Sequence, residues 1–248
     1  MSRLRDQCLS AMGIPVWVMR GAEGGAQSPR HEDAAAVGAA AAAIFDQSAA
    51  TRVAPTHAAN VAAHDWEALA DAVRQCTRCG LHKTRTQTVF GVGRRDAALM
   101  IIGEAPGAEE DRQGEPFVGP AGQLLNAMLG AIKLRRDEVY IANILKCRPP
   151  SNRDPQPTEA ATCTPYLNRQ IELLRPRVML AVGRIAGQWL LQTEIPIGRL
   201  RGQVSRYGDT GIPLVVTYHP AYLLRSPLAK AKAWQDLCLV KDLIESHR

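Results

Sequence analysis

Four cysteines, a glutamate, an asparagine and a histidine are the residues of this chain best suited to chemistry. Cys76 and Cys79 form a C-x-x-C pair, and Cys147 and Cys163 follow at long, irregular intervals. A zinc ribbon wants a second tight pair, which is missing; four thiolates so spaced suit either a tetrahedral zinc or a cubane iron–sulfur cluster. Four unrelated core thiols are the plain alternative. Cys8 and Cys238 stand apart from this set as bystanders. Glu104 opens the acidic, then Gly-rich stretch GEAPGAEEDRQGEPFVGPAG (103–122), where small residues let backbone amides such as those of Ala105 and Gly107 approach a ligand. Neither G-x-G-x-x-G nor a Walker lysine is present, which argues against a phosphate loop. Glu104 is a candidate carboxylate for polarising water, and His219, in TYHPAYLLR (217–225), a candidate partner. Asn143 interrupts the apolar run YIANIL, where a buried amide needs a partner or reads a ligand.

These residues fall at the ends of predicted strands. Short apolar runs at 97–103, 139–145, 178–183 and 213–218 alternate with helical periodicity at 66–76, 121–132, 157–174, 184–192 and 227–246. The rhythm predicts an α/β fold, a three-layer α/β/α sandwich whose central, mainly parallel sheet has about four strands. Ligands of such sheets sit past the carboxyl ends of the strands, which is where Glu104, Asn143 and His219 stand.

Composition narrows the class. No apolar run approaches the ~18 residues a membrane helix needs, so a membrane protein is excluded. Six cysteines in 248 residues are too few for a secreted disulfide scaffold, which favours a reducing, cytoplasmic setting. Residues 1–64 are Gly-, Ala- and Pro-rich, include AAAVGAAAAA (34–43), and read as a disordered extension. The apolar AMGIPVWVM (11–19) within them is a short interaction helix or, less well, a signal peptide broken by Pro15. Their five arginines balance five acids, so the whole net charge of +6 belongs to the domain expected over 65–248. That charge favours an anionic partner such as nucleic acid.

The segments 103–122, NILKCRPPSNRDPQPTEAATC (143–163) and TYHPAYLLR together resemble the family 4 uracil-DNA glycosylases, the iron–sulfur branch of that superfamily. The resemblance runs from about Trp66 to the C-terminus. It implies that Cys76, Cys79, Cys147 and Cys163 ligate a [4Fe-4S] cluster and that Glu104 and His219 are catalytic. It further implies that Phe117 stacks on an extruded uracil, that Asn143 reads the edge of the base, and that the 105–107 amides assist. Leu223, Leu224 and Arg225 then form a loop entering the duplex, with Arg225, Lys146, Arg148 and Arg153 as phosphate contacts. The implied protein is a monomeric DNA-repair hydrolase acting on single- or double-stranded uracil-containing DNA.

Two alternatives remain at the level of sequence. A related branch crosslinks to the abasic site instead of turning over, but it carries a histidine between the second-half cysteines, and 148–162 has none. A non-catalytic nucleic-acid-binding protein with a structural cluster is the other, against which Glu104 and His219 speak.

Overall fold

The computed structural model describes residues 55–246. The low-complexity stretch, the apolar 11–19 segment and Cys8 lie outside the described residues. A helix is present before the boundary expected at residue 65. Helix α1 (Pro55–Ala62) packs on a later helix, α5 (Pro157–Leu174), and buries His57 and Val61. Helix α2 (Trp66–Arg74) follows, with Asp65 as N-cap accepting the Ala68 amide at 2.9 Å.

The sheet has six strands in the order β1-β3-β2-β4-β6-β5: β1 Val92–Gly93, β2 Leu99–Gly103, β3 Tyr140–Asn143, β4 Val178–Val182, β5 Val204–Tyr207 and β6 Ile212–Thr217. The central four, β3-β2-β4-β6, are parallel and are the four apolar runs of the sequence. The two edges, β1 and β5, are antiparallel and raise the count above the four expected. β1 is two residues long and β5 alternates exposed with half-buried positions, so neither shows the continuous apolar run of a strand covered on both faces.

Period-two alternation sends Leu99, Ile101, Ile141 and Leu180 to one face, where they meet α4 (Pro120–Ala131) and α9 (Lys230–Ser246). Met100, Ile102, Ala142 and Met179 face the other way, towards α5 and α6 (Arg184–Leu190). Three layers result. Three shorter helices complete the set: α3 (Ala108–Gln113), α7 (Ile197–Leu200) and α8 (Pro220–Arg225). Proline opens α4, α5 and α8, where its missing N–H costs nothing. No helix among the described residues is long and apolar enough to cross a membrane.

Candidate active site and cysteine site

Past the carboxyl ends of β2, β3 and β6 lies a cleft of about 490 Å³ whose lining includes Glu104, Ala105, Phe117, Asn143, His219 and Arg225. Three strand ends and two loops, distant in sequence, thus deliver the expected residues to one place. The floor depends on Gly103, the last residue of β2, which pairs with Asn143 across the sheet. A Cβ on Gly103 would stand 2.4 Å from Asn143 Oδ1 and 2.7 Å from the tip of the Phe117 ring. Amide and ring therefore close over a backbone that has no side chain.

Asn143 is 2% exposed, and its Oδ1 is buried without a hydrogen-bond partner among the described residues. Leaving a carbonyl oxygen dry and unpaired costs about 1–3 kcal/mol, a cost a ligand N–H would remove. Phe117, 6% exposed, sits in the left-handed region at φ 54°. Its turn is held by Arg136, which donates to the carbonyls of Pro116 at 2.5 Å and Phe117 at 3.2 Å. Gly122 makes room for the Phe117 carbonyl, which a Cβ there would meet at 1.8 Å.

His219 caps α8, its Nδ1 accepting the Ala221 amide at 3.1 Å. That bond assigns the proton of the neutral ring to Nε2. Burial, reinforced by the nearby Arg225 guanidinium, lowers the pKa of His219 to about 4, so it is a neutral donor at physiological pH. The strand end that presents it is pinned by buried Asp236, which accepts from Thr217 Oγ1 at 2.8 Å and pairs with Arg201 at 2.9 Å. Glu104 is half-buried at the end of β2. Burial, and then the carboxylate of Asp154, raise its pKa to about 7, against an opposing pull from Arg184, which itself pairs with Asp154 at 2.9 Å.

Glu110 is the functional residue the sequence reading passed over. Its Oε2 accepts the Gly107 amide at 3.1 Å, and its Oε1 accepts the amides of Val118 at 3.0 Å and Gly119 at 3.2 Å. It thereby stitches the Glu104 loop to the Phe117 loop. The signal for it was present, as an acid three residues after a helix-starting glycine. The same bond occupies the Gly107 amide and Pro106 has none, so of the three expected donors only Ala105 N–H is left to face a ligand.

Two expected DNA contacts are corrected. Lys146 is 1% exposed, and its ammonium donates to Asn143 O at 2.9 Å and Gln170 Oε1 at 2.6 Å, so it cannot reach a phosphate. Leu223 is 0% exposed and belongs to the core; Leu224 at 46%, Tyr222 at 41% and Leu228 at 95% are the exposed apolar side chains of that rim. Arg225 is exposed and lines the cleft. Arg153 also lines it but is held by Glu159 in two bonds of 2.6 and 2.9 Å, while Arg148 bonds Asn152 at 2.7 Å outside the lining.

Cys76, Cys79, Cys147 and Cys163 line a separate small cavity together with Arg85 and Lys146, and none is in a disulfide. No three His, Cys, Asp or Glu side chains among the described residues gather round a single ion position. The lining offers four thiols beside the cationic side chains of Arg85 and Lys146, the donor types of a thiolate-held anionic group. Arg85 Nη1 donates to Cys147 Sγ at 3.0 Å and the Lys146 amide to Cys163 Sγ at 3.3 Å. Among the described residues the buried Lys146 ammonium has only neutral oxygens as hydrogen-bond partners. Burial pushes the thiol of Cys163 up to about 12 and those of Cys147 and Cys79 above their usual value, and it lowers the ammonium of Lys146 to about 8, so each group is held against its charged form.

At the carboxyl end of the parallel strands the cleft thus combines a buried amide acceptor with a neutral histidine donor. The family model described as the uracil DNA glycosylase superfamily matches residues 90–238. A type-4 uracil-DNA glycosylase of Archaeoglobus fulgidus is 46% identical over 187 residues, covering 71% of this chain and 94% of its own. Those of Saccharolobus solfataricus and Thermotoga maritima are 42% and 43% identical, covering 72% and 64% of this chain and 86% and 83% of theirs. The chain belongs to the uracil-DNA glycosylase superfamily and, within it, to the type-4 uracil-DNA glycosylases, hydrolases of N-glycosyl bonds. These relatives disfavour the crosslinking alternative.

Proposed function

We propose that the protein binds uracil-containing DNA and excises the base in the cleft formed by Phe117, Asn143, Glu104 and His219. The observation that carries this reading is the unpartnered, buried Oδ1 of Asn143 beside the Phe117 ring. Uracil presents N3–H to that oxygen and O4 to the amide nitrogen of the same side chain. Cytosine presents a lone pair and an amino group instead, so both contacts turn repulsive. Extrusion of the base costs a few kcal/mol, recovered by stacking on Phe117 and pairing with Asn143.

Breaking the C1′–N1 bond leaves positive charge on the sugar and negative charge on the uracil. The Nε2–H of His219, with the Ala105 amide, supplies donors to the oxygen where that negative charge collects. Glu104, ionised, orients water towards C1′ and takes its proton; a pKa near the working pH suits a general base. Arg225, exposed at the rim, and Arg153 and Arg148, once freed from their present partners, are the phosphate contacts. Leu224, Tyr222 and Leu228 take the place beside the duplex first expected of Leu223 and Leu224.

The cysteine site holds a [4Fe-4S] cluster on Cys76, Cys79, Cys147 and Cys163. Bound there, a cluster would bring negative charge to a cationic cavity, and its four ligands would tie together the segment after α2, the β3–α5 loop and α5. The folded domain acts as a monomer, in a cytoplasmic setting, with residues preceding α1 as an extension. The test is incubation with a uracil-containing oligonucleotide followed by alkali: strand breaks at uracil are expected, and their absence with retained DNA binding would overturn the reading.

A further inference from the structure

The residue the sequence placed on DNA lies instead between the two sites. Lys146 immediately precedes Cys147, its backbone amide donates to Cys163 Sγ at 3.3 Å, and its ammonium donates to the backbone carbonyl of Asn143 at 2.9 Å. The other partner of the ammonium, Gln170 Oε1 at 2.6 Å, is a neutral amide whose nitrogen is committed to Phe90 O at 2.9 Å and Tyr140 Oη at 3.1 Å. No salt bridge to Lys146 forms among the described residues, although the side chain is 1% exposed. A buried ammonium is retained only with an opposite charge nearby or at a cost of several kcal/mol. The groups next to it able to carry that charge are the thiolates of Cys147 and Cys163.

We infer that Lys146 is a positioning residue that couples the cysteine site to base recognition: its ammonium compensates the charge of the thiolate-bound group, and so charged it holds the carbonyl of Asn143 and the uracil-reading amide in place. The charge half rests on the iron–sulfur reading above; the Asn143 half rests on the hydrogen bond alone. A cubane cluster held by four thiolates is anionic and becomes more so on reduction, so a nearby cation favours the reduced form. Two substitutions separate the halves. Lys146→Met removes both the charge and the bond to Asn143. Gln170→Glu keeps the lysine and its bond to Asn143 while placing a carboxylate against the ammonium, which cancels the charge.

The experiment uses full-length protein purified anaerobically, with iron and sulfide assayed first. The midpoint potential of the cluster is read by protein-film voltammetry, and iron retained after a chelator challenge is read alongside. Binding is measured to a duplex carrying 2′-fluoro-deoxyuridine, which resists cleavage, and to the same duplex undamaged. Both variants are expected to shift the potential downward and to lose iron faster than the parent. Only Lys146→Met should lose discrimination, by about 10- to 100-fold, the worth of a hydrogen bond to a charged donor. Unchanged potential and iron retention in both variants would overturn the charge role, and unchanged discrimination in Lys146→Met would overturn the coupling to Asn143. Should Lys146→Met fail to fold, Gln170→Glu still reads the charge role. It also reads the coupling, because a loss of discrimination in it equal to its loss of iron would overturn the separation of the two halves. Parent protein lacking iron and sulfide would overturn the cofactor reading instead, while the binding comparison would stand on its own.

Discussion

The rings of Phe117 and His219 lie 5.7 Å apart, centroid to centroid, and are tilted by 32°. One belongs to a left-handed turn held by Arg136 and Glu110, the other to the N-cap of α8. The separation of ring and imidazole is therefore set by two loops that have no sequence proximity.

Gly103→Ala tests the floor on which this depends. The added methyl meets Asn143 Oδ1 and Phe117 at distances no carbon tolerates, so amide and ring must both move. Steady-state kinetics on a uracil duplex should show kcat/KM falling by at least about a hundred-fold, with a thermal melt costing only about 1–3 kcal/mol, the usual cost of overpacking.

The pH profile should have one limb near neutrality. The Glu104 pKa, near 7, means that the ionised base accumulates as pH rises through that value, so log kcat/KM should climb with pH and level off above it. His219, at about 4, stays neutral across the range and adds no limb between pH 5 and 9. Glu104→Gln should be slow and flat in pH while still binding DNA. A profile falling with pH through 7 would remove the base from this role.

His219→Ala deletes a neutral donor and not a charge. Single-turnover excision should slow by about 10²–10³, or ~2.7–4 kcal/mol in the barrier, as when an oxyanion donor is lost. The loss should be equal at pH 6 and pH 9.

Glu110→Ala frees three backbone amides, of Gly107, Val118 and Gly119, and unties the Phe117 loop from the Glu104 loop. KM for uracil duplex should rise and discrimination against undamaged DNA should weaken, because stacking and edge reading lose their common frame. Binding of the free loop amides to anions would show as inhibition by phosphate absent from the parent.

Anaerobically purified protein should be brown, with broad absorption near ~400 nm and about four iron and four sulfide per chain. Cys147→Ala should lose colour and, with it, thermal stability, since Cys147 is buried beside Arg85 and Lys146. Stoichiometric zinc in colourless protein would replace the cluster with a different metal.

How far the sequence could be read differs from feature to feature, for physical reasons. The four central strands were legible because a strand buried on both faces is a continuous apolar run, whatever it pairs with. The edges were not, since β1 and β5 owe their existence to neighbours and carry no such run. That Glu104, Asn143 and His219 would meet at one cleft was legible because polar types at the ends of apolar runs are conspicuous and parallel sheets collect their ligands there.

By itself, then, the sequence determined the layer order, the four central strands, the cleft at their carboxyl ends and the family whose motifs run from 103 to 225. The tertiary structure alone decided which of several equivalent residue types serves which end. Leu223 and Leu224 are neighbours of the same kind, and the turn of α8 sends one into the core and the other to the rim. Lys146 looks like any phosphate-binding lysine until Gln170, 24 positions away, accepts its ammonium in the core. Glu110 is one of three acids in a row, and only the approach of the 118–119 amides makes it the tie between two loops. Burial and hydrogen-bond partners are properties of segments brought together, and no local pattern along the chain encodes which segments those will be.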